Sequence, residues 1–368
     1  MYEIGIDAVI VQDLGMIKLI KEHFPNFEIH ASTQMHTHNN HGVKLLKKLG
    51  VSRVVLAREM NLNEIKTLDK DIETEVFVHG ALCVSYSGCC LFSSLIGGRS
   101  GNRGACVGSC RLPYDIIKNG KKINKGAYPL STKDLCSVYN IKDLLDANIN
   151  SLKIEGRMKS KEYVGLVTKI YRTLIDKYYN NEPLAVKEED IIKLKKLFNR
   201  NFTNGYLYND NIYYDNTPNH IGVEIGKVIK VNKHKIYIKL AHDLYQGDGI
   251  RFVNANKGMI LNKLYNKNGL LTNKISQNEV AIIDNKIGLQ EEDLVNKTVD
   301  VNLADEIKNY PNKKIKISFD VYAHENENLK ITVSDGINKI EEIFNILDKA
   351  KKIHLLTKIS HNSNQINI

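Results

Sequence analysis

The segment Glu75-Val76-Phe77-Val78-His79 has the β-branched and aromatic residues of a short buried strand. Similar segments precede and follow it, separated by stretches with helical periodicity; they cover residues 7–11, 28–32, 53–57 and 151–155. Short apolar strands that alternate with helices predict parallel β-α-β units. We count about six such units, fewer than the eight of a closed (β/α)8 barrel. The sequence therefore predicts an α/β fold built on an incomplete, TIM-like (β/α) barrel.

Polar residues follow several of these strands at their C-terminal ends. Ser32-Thr33-Gln34 follows the second strand, Arg58-Glu59 follows the third, and His79-Gly80 closes the fourth. In α/β barrels the active site is built at this end of the strands, although such residues also cap helices or face solvent. The candidate catalytic residues are Arg58, Glu59, Glu75, His79, Lys153, Glu155 and Arg157.

The pattern changes along the chain from α/β to mostly β and predicts separate domains. The predicted segments are the barrel domain, 1–185, with a cysteine-rich insertion at 83–136; a helical connector, 186–220; a small β-barrel domain, 221–300; and a partial C-terminal α+β domain, 301–368. Within the first segment, a short extended piece is predicted at Tyr128-Pro129-Leu130. The last segment ends in a polar tail at 360–367.

The chain is basic, with a net charge of +10 and a pI of about 9.0. This balance favours contact with phosphate backbones, although an abundance of Lys, Asn and Ile also fits the residue choice of an AT-rich genome. No apolar run reaches the roughly 18 residues needed to span a bilayer. The N-terminus also lacks the basic flank and apolar stretch of a signal peptide. We therefore expect a cytoplasmic protein without a membrane segment.

The six cysteines all lie between Cys83 and Cys136. Such a cluster inside a large chain argues for a metal or redox site, because a secreted disulfide protein spreads its cysteines through a short chain. Cys83, Cys90, Cys106 and Cys110 are separated by 7, 16 and 4 residues, and Cys136 follows 26 residues later. Only the third spacing approaches the knuckles of structural zinc sites. The spacing leaves an iron–sulfur cluster, zinc and redox-active thiols as alternatives.

The residues between the thiols are rich in glycine and in positive charge. The glycines, which allow a tight backbone path, are Gly88, Gly97, Gly98, Gly101, Gly104 and Gly108. The basic residues are Arg99, Arg103, Arg111, Lys118, Lys121, Lys122 and Lys125. With Asp115 as the one acid between them, this segment predicts a contact with a polyanion such as RNA. The alternative is a solvated surface hairpin.

Several motifs of the chain match a known family. In the first half they are Glu75 to Cys83, Ser87-Gly88-Cys89-Cys90, Asn102-Arg103-Gly104-Ala105-Cys106, Cys110-Arg111, Ser131 to Cys136 and Ser151 to Ser160. Together they resemble the family historically called the U32 peptidases. In the second half, Asn199 to Tyr206, Pro218 to Gly222, Ile225 to Val228 and Leu329 to Gly336 resemble the longer members, which include a 23S ribosomal RNA cytidine hydroxylation protein. Against that long form, we expect this chain to be shortened at both ends.

The resemblance implies a cofactor and a reaction. It implies a 4Fe–4S cluster held by Cys83, Cys90, Cys106 and Cys136, with Cys110 as the alternative ligand. Cys89 occupies a variable position of the motif and is expected to be a bystander. The implied reaction is hydroxylation of an RNA pyrimidine, either a 23S rRNA cytidine or a tRNA wobble uridine, with prephenate as a co-substrate. RNA is then the expected partner, with a second protein of the same family as a further one.

Within this reaction, the candidate catalytic residues take two expected roles. Those that would supply positive charge to a dicarboxylate such as prephenate are Arg58, His79, Lys153 and Arg157. Those that would orient them or transfer protons are Glu59, Glu75 and Glu155.

Two other functions are alternatives. The old family name suggests a collagenase-like peptidase, but the sequence has neither the H-E-x-x-H motif of zinc proteases nor the G-x-S-x-G nucleophile elbow. The second alternative is a non-catalytic, RNA-binding accessory subunit.

Overall fold

The computed structural model describes residues 2–289, 292–311 and 314–346. The chain divides into two compact units, one ending at Asn309 and the other beginning at Tyr310. The helices are α1 (Leu14–His23), α2 (Asn40–Lys48), α3 (Leu62–Lys66), α4 (Phe92–Gly97), α5 (Ile141–Asp146), α6 (Lys161–Tyr179), α7 (Glu188–Leu197) and α8 (Val301–Lys308). Short 3-10 turns lie at Thr33–Met35, Gly101–Arg103, Ser109–Arg111, Val138–Asn140 and Gly205–Tyr208.

The strands form several separate sheets. They are β1 (Ala8–Val11), β2 (Glu28–Ala31), β3 (Arg53–Val55), β4 (Glu73–Ala81), β5 (Ile117–Lys118), β6 (Lys121–Lys122), β7 (Asp134–Cys136), β8 (Ser151–Ile154), β9 (Phe202–Thr203), β10 (Val223–Val231), β11 (Lys235–Leu240), β12 (Leu244–Tyr245), β13 (Gly249–Phe252), β14 (Lys257–Ile260), β15 (Lys274–Ile275), β16 (Val280–Asp284), β17 (Leu294–Val299), β18 (Ser318–Tyr322), β19 (Asn328–Ser334) and β20 (Lys339–Ile346).

The first half of the chain forms a mainly parallel sheet. Strands β1, β2, β3 and β4 pair in chain order and in parallel, and β8 pairs in parallel with β4. Helices that connect these strands bury their apolar side chains: Ile17 of α1, Val43 of α2 and Ile65 of α3 are at most 1% exposed. The predicted α/β class is confirmed. Closure of this sheet into part of a barrel stays a prediction.

The long strand β4 joins the parallel sheet to the cysteine-rich segment. Its register with β8 shifts between Phe77 and His79. Beyond this shift, His79–Ala81 pairs antiparallel with β7, and β7 pairs in parallel with β9. The extended piece predicted at residues 128–130 is therefore wrong: the strand lies at Asp134–Cys136, where its backbone finds free partners on the end of β4.

The second half is mostly antiparallel. One sheet has the strand order β14-β13-β17-β10-β11-β16 and buries a core that includes Phe252, Ile236 and Val295. Helix α8 belongs to the first compact unit, where Lys193 of α7 pairs with Glu306 at 2.9 Å. This sheet occupies the segment predicted to be a small β-barrel, and its closure stays a prediction.

The second compact unit contains an antiparallel sheet in the order β18-β19-β20. Much of the predicted C-terminal domain, residues 312–313 and 347–368 with the polar tail, lies outside the described residues. None of the helices in the described part of the chain has the length and apolarity needed to cross a membrane.

Candidate cysteine-rich site

The cysteine-rich segment leaves the sheet at the end of β4 and returns at β7. It packs against the loop that follows β2, and the contact is made through Gly88, whose amide donates to Gln34 Oε1 at 3.0 Å. A Cβ at Gly88 would lie 2.1 Å from the carbonyl oxygen of Gln34, and the backbone φ is +74°. Only glycine meets both conditions. The segment is thus held close to the C-terminal end of the parallel sheet.

Four thiols of this segment are neighbours. Burial raises the pKa of the Cys110 thiol, and the nearby Cys83, Cys106 and Cys90 raise it further, while Arg111 acts in the opposite direction. A Cβ built on Gly101 would lie 3.7 Å from both Cys106 Cβ and Cys90 Sγ. Gly101 thus lies beside both cysteines, and a Cβ at this position would make ordinary van der Waals contacts with them.

Local hydrogen bonds fix the backbone around two of these thiols. Asn102 accepts from the amide of Cys90 and donates to its carbonyl, both at 3.0 Å. The amide of Gly108 donates to Cys106 Sγ at 3.4 Å. Backbone N–H donors of this kind also stabilise thiolates that bind metals.

Cys136 lies in a different environment. It is on β7, is 5% exposed, and burial raises its pKa to about 12. The groups that modify this pKa are the Val138 amide, Lys195 and Asp134. The predicted ligand set thus contains three thiols close enough to Cys110 to affect its pKa, together with Cys136, which lies in the protein core.

Cys89 points to another part of the molecule. Its Sγ is 3.6 Å from His36 Nδ1 and 3.5 Å from the carbonyl oxygen of Ser87. In the described part of the chain, no three His, Cys, Asp or Glu side chains are grouped so as to hold a metal ion.

Arg58 and Glu59 lie where they were predicted, at the end of β3, and both contact Ser87. Arg58 Nε donates to Ser87 Oγ at 3.1 Å, and Glu59 Oε1 accepts from the Ser87 amide at 2.8 Å. The other oxygen, Glu59 Oε2, is buried and has no hydrogen-bond partner within the described residues. Because buried polar atoms are rarely left unpaired, this oxygen is a candidate acceptor for a ligand.

Glu75 and Lys153 form an ion pair within the sheet. Lys153 Nζ is 2.8 Å from Glu75 Oε1, and Ser151 Oγ donates to Oε2 at 2.7 Å. Although burial acts to raise the pKa of Glu75, these hydrogen bonds and the nearby Arg53 hold it below its usual value. Lys153 is therefore already neutralised by a carboxylate of the same sheet.

His79 does not supply the positive charge that was predicted for it. The ring is 1% exposed and lies among Tyr163, Tyr171 and Phe202. Burial lowers its pKa to about 4, with Asp134 acting in the opposite direction. A histidine with this pKa is neutral at pH 7. The register of β4 with β8 shifts just before His79, and its backbone pairs with Cys136 of β7.

Glu155 and Arg157 follow β8 and join it to the cysteine-rich segment. Glu155 Oε1 accepts from the Arg157 amide at 2.8 Å. Arg157 Nη1 donates to the carbonyl oxygen of Gly104 at 2.6 Å, and its side chain remains exposed. Of the predicted cationic residues, Arg58 and Arg157 therefore remain free of carboxylate partners within the described residues.

Arg111 is an internal residue and not part of an exposed basic surface. It donates to Ser131 Oγ at 2.8 Å, to Thr132 Oγ1 at 2.6 Å and to the carbonyl oxygen of Leu82 at 3.2 Å. Burial, with a contribution from Arg200, lowers its pKa to about 10. Its donors tie the cysteine-rich segment to the end of β4, so it is held within the protein, and its predicted contact with RNA stays a prediction.

Three further residues of this region were not predicted from the sequence. Arg200 Nη2 pairs with Asp134 Oδ1 at 2.5 Å, and both side chains are at most 10% exposed. Lys159 Nζ lies over the ring of Phe198. The motifs that contain these residues could be recognised in the sequence. The pairing of Arg200 with Asp134, 66 residues away, cannot be inferred from a single sequence.

The comparisons with known proteins show the family to which the chain is similar. The model of Peptidase family U32 matches residues 1–216. The 23S rRNA 5-hydroxycytidine C2501 synthase of Escherichia coli K12 is 36% identical over 68% of this chain and 40% of its own length. The tRNA hydroxylation protein P of Helicobacter pylori J99 is 39% identical over 60% of this chain and 55% of its own length.

A relative named as a collagenase is also similar to this chain. The collagenase of Porphyromonas gingivalis W83 is 29% identical over 70% of this chain and 68% of its own length. The chain thus spans about half the length of the two RNA-modifying relatives. Since the family model covers more than half of the chain, the protein belongs to Peptidase family U32.

Proposed function

We propose that this protein acts in the hydroxylation of a pyrimidine in ribosomal or transfer RNA, and that it does so as an iron–sulfur protein. The observation that carries the proposal is the group of thiols around Cys110, in a segment whose Ser87 binds Arg58 and Glu59 at the C-terminal end of a parallel sheet. The names of two relatives, an rRNA hydroxycytidine synthase and a tRNA hydroxylation protein, support the reaction type. Substrates of this kind imply a cytoplasmic protein.

The thiols fit a 4Fe–4S cluster by their chemistry. Such clusters are bound by four cysteine thiolates. The thiols of Cys83, Cys90 and Cys106 lie close enough to Cys110 to raise its pKa. In a cubane each thiolate binds a different iron, so the sulfurs need not converge on one ion. We therefore propose these four as ligands, with Cys136 as the alternative to Cys110. When bound, the cluster would supply electron transfer to the oxygen donor.

The protein's own residues would bind and orient the substrate. Glu59 Oε2, buried and unpaired within the described residues, would accept a hydrogen bond from an N–H group of the pyrimidine. Arg58 lies next to it and is held by Ser87. A base bound here must leave its stack, which is easiest in single-stranded RNA.

Two exposed features would bind the rest of the substrates. Arg157 is available for a carboxylate of a small co-substrate such as prephenate. The exposed lysines of the β5–β6 hairpin, Lys118, Lys121 and Lys122, would contact RNA phosphates. A second protein of the same family stays a proposed partner, and its copurification with the tagged chain would support it.

The test is mass spectrometry of RNA nucleosides from cells with and without the gene. We expect one hydroxylated pyrimidine to disappear from rRNA or tRNA on deletion and to return with the wild-type gene. Glu59→Gln keeps the shape of the side chain but loses the charge, so we expect it to restore less than a tenth of the modification. Deletion without any change in the nucleosides would contradict the proposal.

The relative named collagenase keeps a peptidase as the second candidate. Purified protein that cleaves gelatin, from cells whose RNA nucleosides do not depend on the gene, would favour the peptidase. Protein that binds RNA and iron but restores no hydroxylated base would favour an accessory subunit.

A further inference from the structure

The hairpin of β13 and β14 carries two glycines around an arginine. In its register Gly249 pairs with Ile260, and Arg251 pairs with Gly258. Because side chains alternate along a strand, these four residues face the same side of the sheet. A Cβ at Gly249 would lie 2.8 Å from Val299 Cγ2, so a larger residue does not fit there without a shift. Little side-chain volume therefore surrounds Arg251 on this face.

The two glycines line an open cleft at the edge of the sheet, where β14 is the outermost strand. The cleft has a volume of about 500 Å³, within the roughly 300–1,000 Å³ typical of ligand sites. Ile260, which is 50% exposed, supplies an apolar wall. The polar and charged residues that line the cleft include Asn219, Arg251, Asn256, Lys257 and Thr298. Such a lining suits a ligand with both a charged and an apolar part.

The guanidinium of Arg251 is held by neutral acceptors. Its Nη1 donates to the carbonyl oxygen of His220 at 2.9 Å. Its Nη2 donates to Thr217 Oγ1 at 3.0 Å and also to Asn256 Oδ1. These bonds fix the side chain and use three of its five N–H donors. Since Arg251 forms no ion pair within the described residues, its charge and its remaining donors are available to an anion.

Lys257 adds a second positive charge to the cleft. Its Nζ donates to the carbonyl oxygen of Ile287 at 2.8 Å, and it too forms no ion pair within the described residues. Burial lowers the pKa of Arg251, while Tyr214 and Tyr128 lie close enough to act in the opposite direction. Cationic groups with aromatic rings nearby are the combination by which proteins bind single-stranded nucleic acids.

We propose that this cleft binds one nucleotide of a single-stranded RNA, whose phosphate contacts Arg251 and Lys257 and whose base packs on Ile260. Tyr128 belongs to the cysteine-rich segment, and its amide donates to the carbonyl oxygen of Asp215 at 3.0 Å. One RNA strand can therefore contact both that segment and the second sheet. The choice of RNA rests on the proposed function, whereas the cleft and its two cations do not.

The test uses the full chain with a single-stranded RNA of about 12 nucleotides, within the range that one binding domain covers. The RNA carries thiouridine, and peptide mapping after irradiation locates the cross-links. We expect them on the peptide that contains Lys257 and Ile260. Cross-links confined to other parts of the chain would overturn the proposal. Cross-links that the same concentration of uridine monophosphate or unlabelled RNA abolishes equally well would overturn the choice of RNA and assign the cleft to a free nucleotide.

Two exposed lysines provide a matched pair of variants. Lys257→Gln removes one phosphate contact, so the slope of log affinity against log salt should fall by about 0.7. Lys233→Gln, in the turn between β10 and β11, makes the same change in net charge away from the cleft and should keep the wild-type slope. Equal slopes in the two variants would contradict a phosphate contact at Lys257. None of these measurements needs a cluster or a hydroxylated base, so the cleft can fail this test even where the nucleoside comparison succeeds.

Discussion

His79 is the residue whose environment most strongly determines its chemistry. It follows the register shift of β4, and its ring contacts two tyrosines of α6 together with Phe202 of β9. Tyr171 Oη lies 3.4 Å from its Nδ1. A buried ring without a carboxylate contact is stable only in its neutral form. His79 therefore supports the end of β4 and does not bind an anionic substrate.

This burial predicts a loss of stability in acid. The pKa of His79 is about 4 in the folded protein against 6.5 as its usual value, so the unfolded chain binds more protons between these values. The free energy of unfolding should therefore fall as the pH drops from 6.5 to 4, by about 3 kcal/mol in total for this group. Urea unfolding at pH 7 and pH 5 measures the part of this loss that appears by pH 5.

A substitution isolates the contribution of His79. His79→Phe keeps an aromatic ring in the cluster and should flatten the pH dependence of unfolding. His41→Gln replaces an exposed histidine of α2 and serves as the control, which should keep the wild-type dependence. If His79→Phe retained the full dependence, other buried groups would be responsible for it.

The positions of some of these residues could be predicted from the sequence, and those of others could not. Arg58 and Glu59 were predicted correctly at the end of β3, because a buried strand followed by charged residues is a local pattern. The orientation of His79 depends on where β7 pairs with β4, and that pairing is a tertiary contact. Lys159 follows the same rule, since its ring partner Phe198 is contributed by the segment after α7.

At the scale of elements, the parallel strands were predictable and β7 was not. Strands β1, β2 and β3 are each followed by a helix that leads to the next strand, and this repeated alternation gives a strong signal. Strand β7 has only three residues, Asp134–Cys136, and is antiparallel to β4. Its position is set by Arg200, whose guanidinium and amide both bind Asp134. A strand fixed by such a contact has no periodicity of its own.

The β5–β6 hairpin is the element expected to bind RNA. Lys118, Lys121 and Lys122 are exposed on it, although Lys122 also pairs with Asp115 at 2.5 Å. Replacing all three lysines by Ala should weaken binding to single-stranded RNA. It should also reduce the slope of log affinity against log salt by up to about two, because each phosphate contact contributes roughly 0.7. Fluorescence anisotropy between 50 and 300 mM salt, about the range where such contacts are screened, provides both values.

A variant with the same change in net charge separates the hairpin from a general attraction. Lys18→Ala, Lys44→Ala and Lys48→Ala remove three exposed lysines of α1 and α2. The hairpin variant should lose clearly more affinity than this control. Equal losses would mean that the overall charge of +10 accounts for the binding. Arg111 is unsuitable for such a test, since its removal would leave Leu82 and Thr132 without their donor.

For the whole molecule, the cysteine-rich segment is the part that the rest of the first unit holds in place. It is held by Gly88 against Gln34, by Arg111 against Leu82 and by Arg157 against Gly104. These contacts come from three separate regions of the chain. Composition and spacing predicted that the cysteines act together, but which of them are neighbours depends on these distant contacts.

A bound cluster should therefore stabilise the folded protein as a whole. Ligands that bind only the native state raise its stability, and a cluster bound by Cys83, Cys90, Cys106 and Cys110 would connect both halves of the segment. Anaerobic reconstitution should give brown protein with about four irons per chain and a higher melting temperature. Cys110→Ala should lose both the iron and the increase in melting temperature. Iron analysis and thermal unfolding, with and without reconstitution, measure the two effects.

The remaining cysteines provide the matched controls for this experiment. Cys89→Ala should keep the cluster, because its thiol faces His36. Cys136→Ala should also keep the iron, even though the smaller side chain in the core lowers the melting temperature of the protein without a cluster. The increase on reconstitution, and not the absolute melting temperature, therefore identifies a ligand. If Cys136→Ala lost the iron and Cys110→Ala retained it, Cys136 would be the fourth ligand, and β7 would have to move toward the other thiols when the cluster binds.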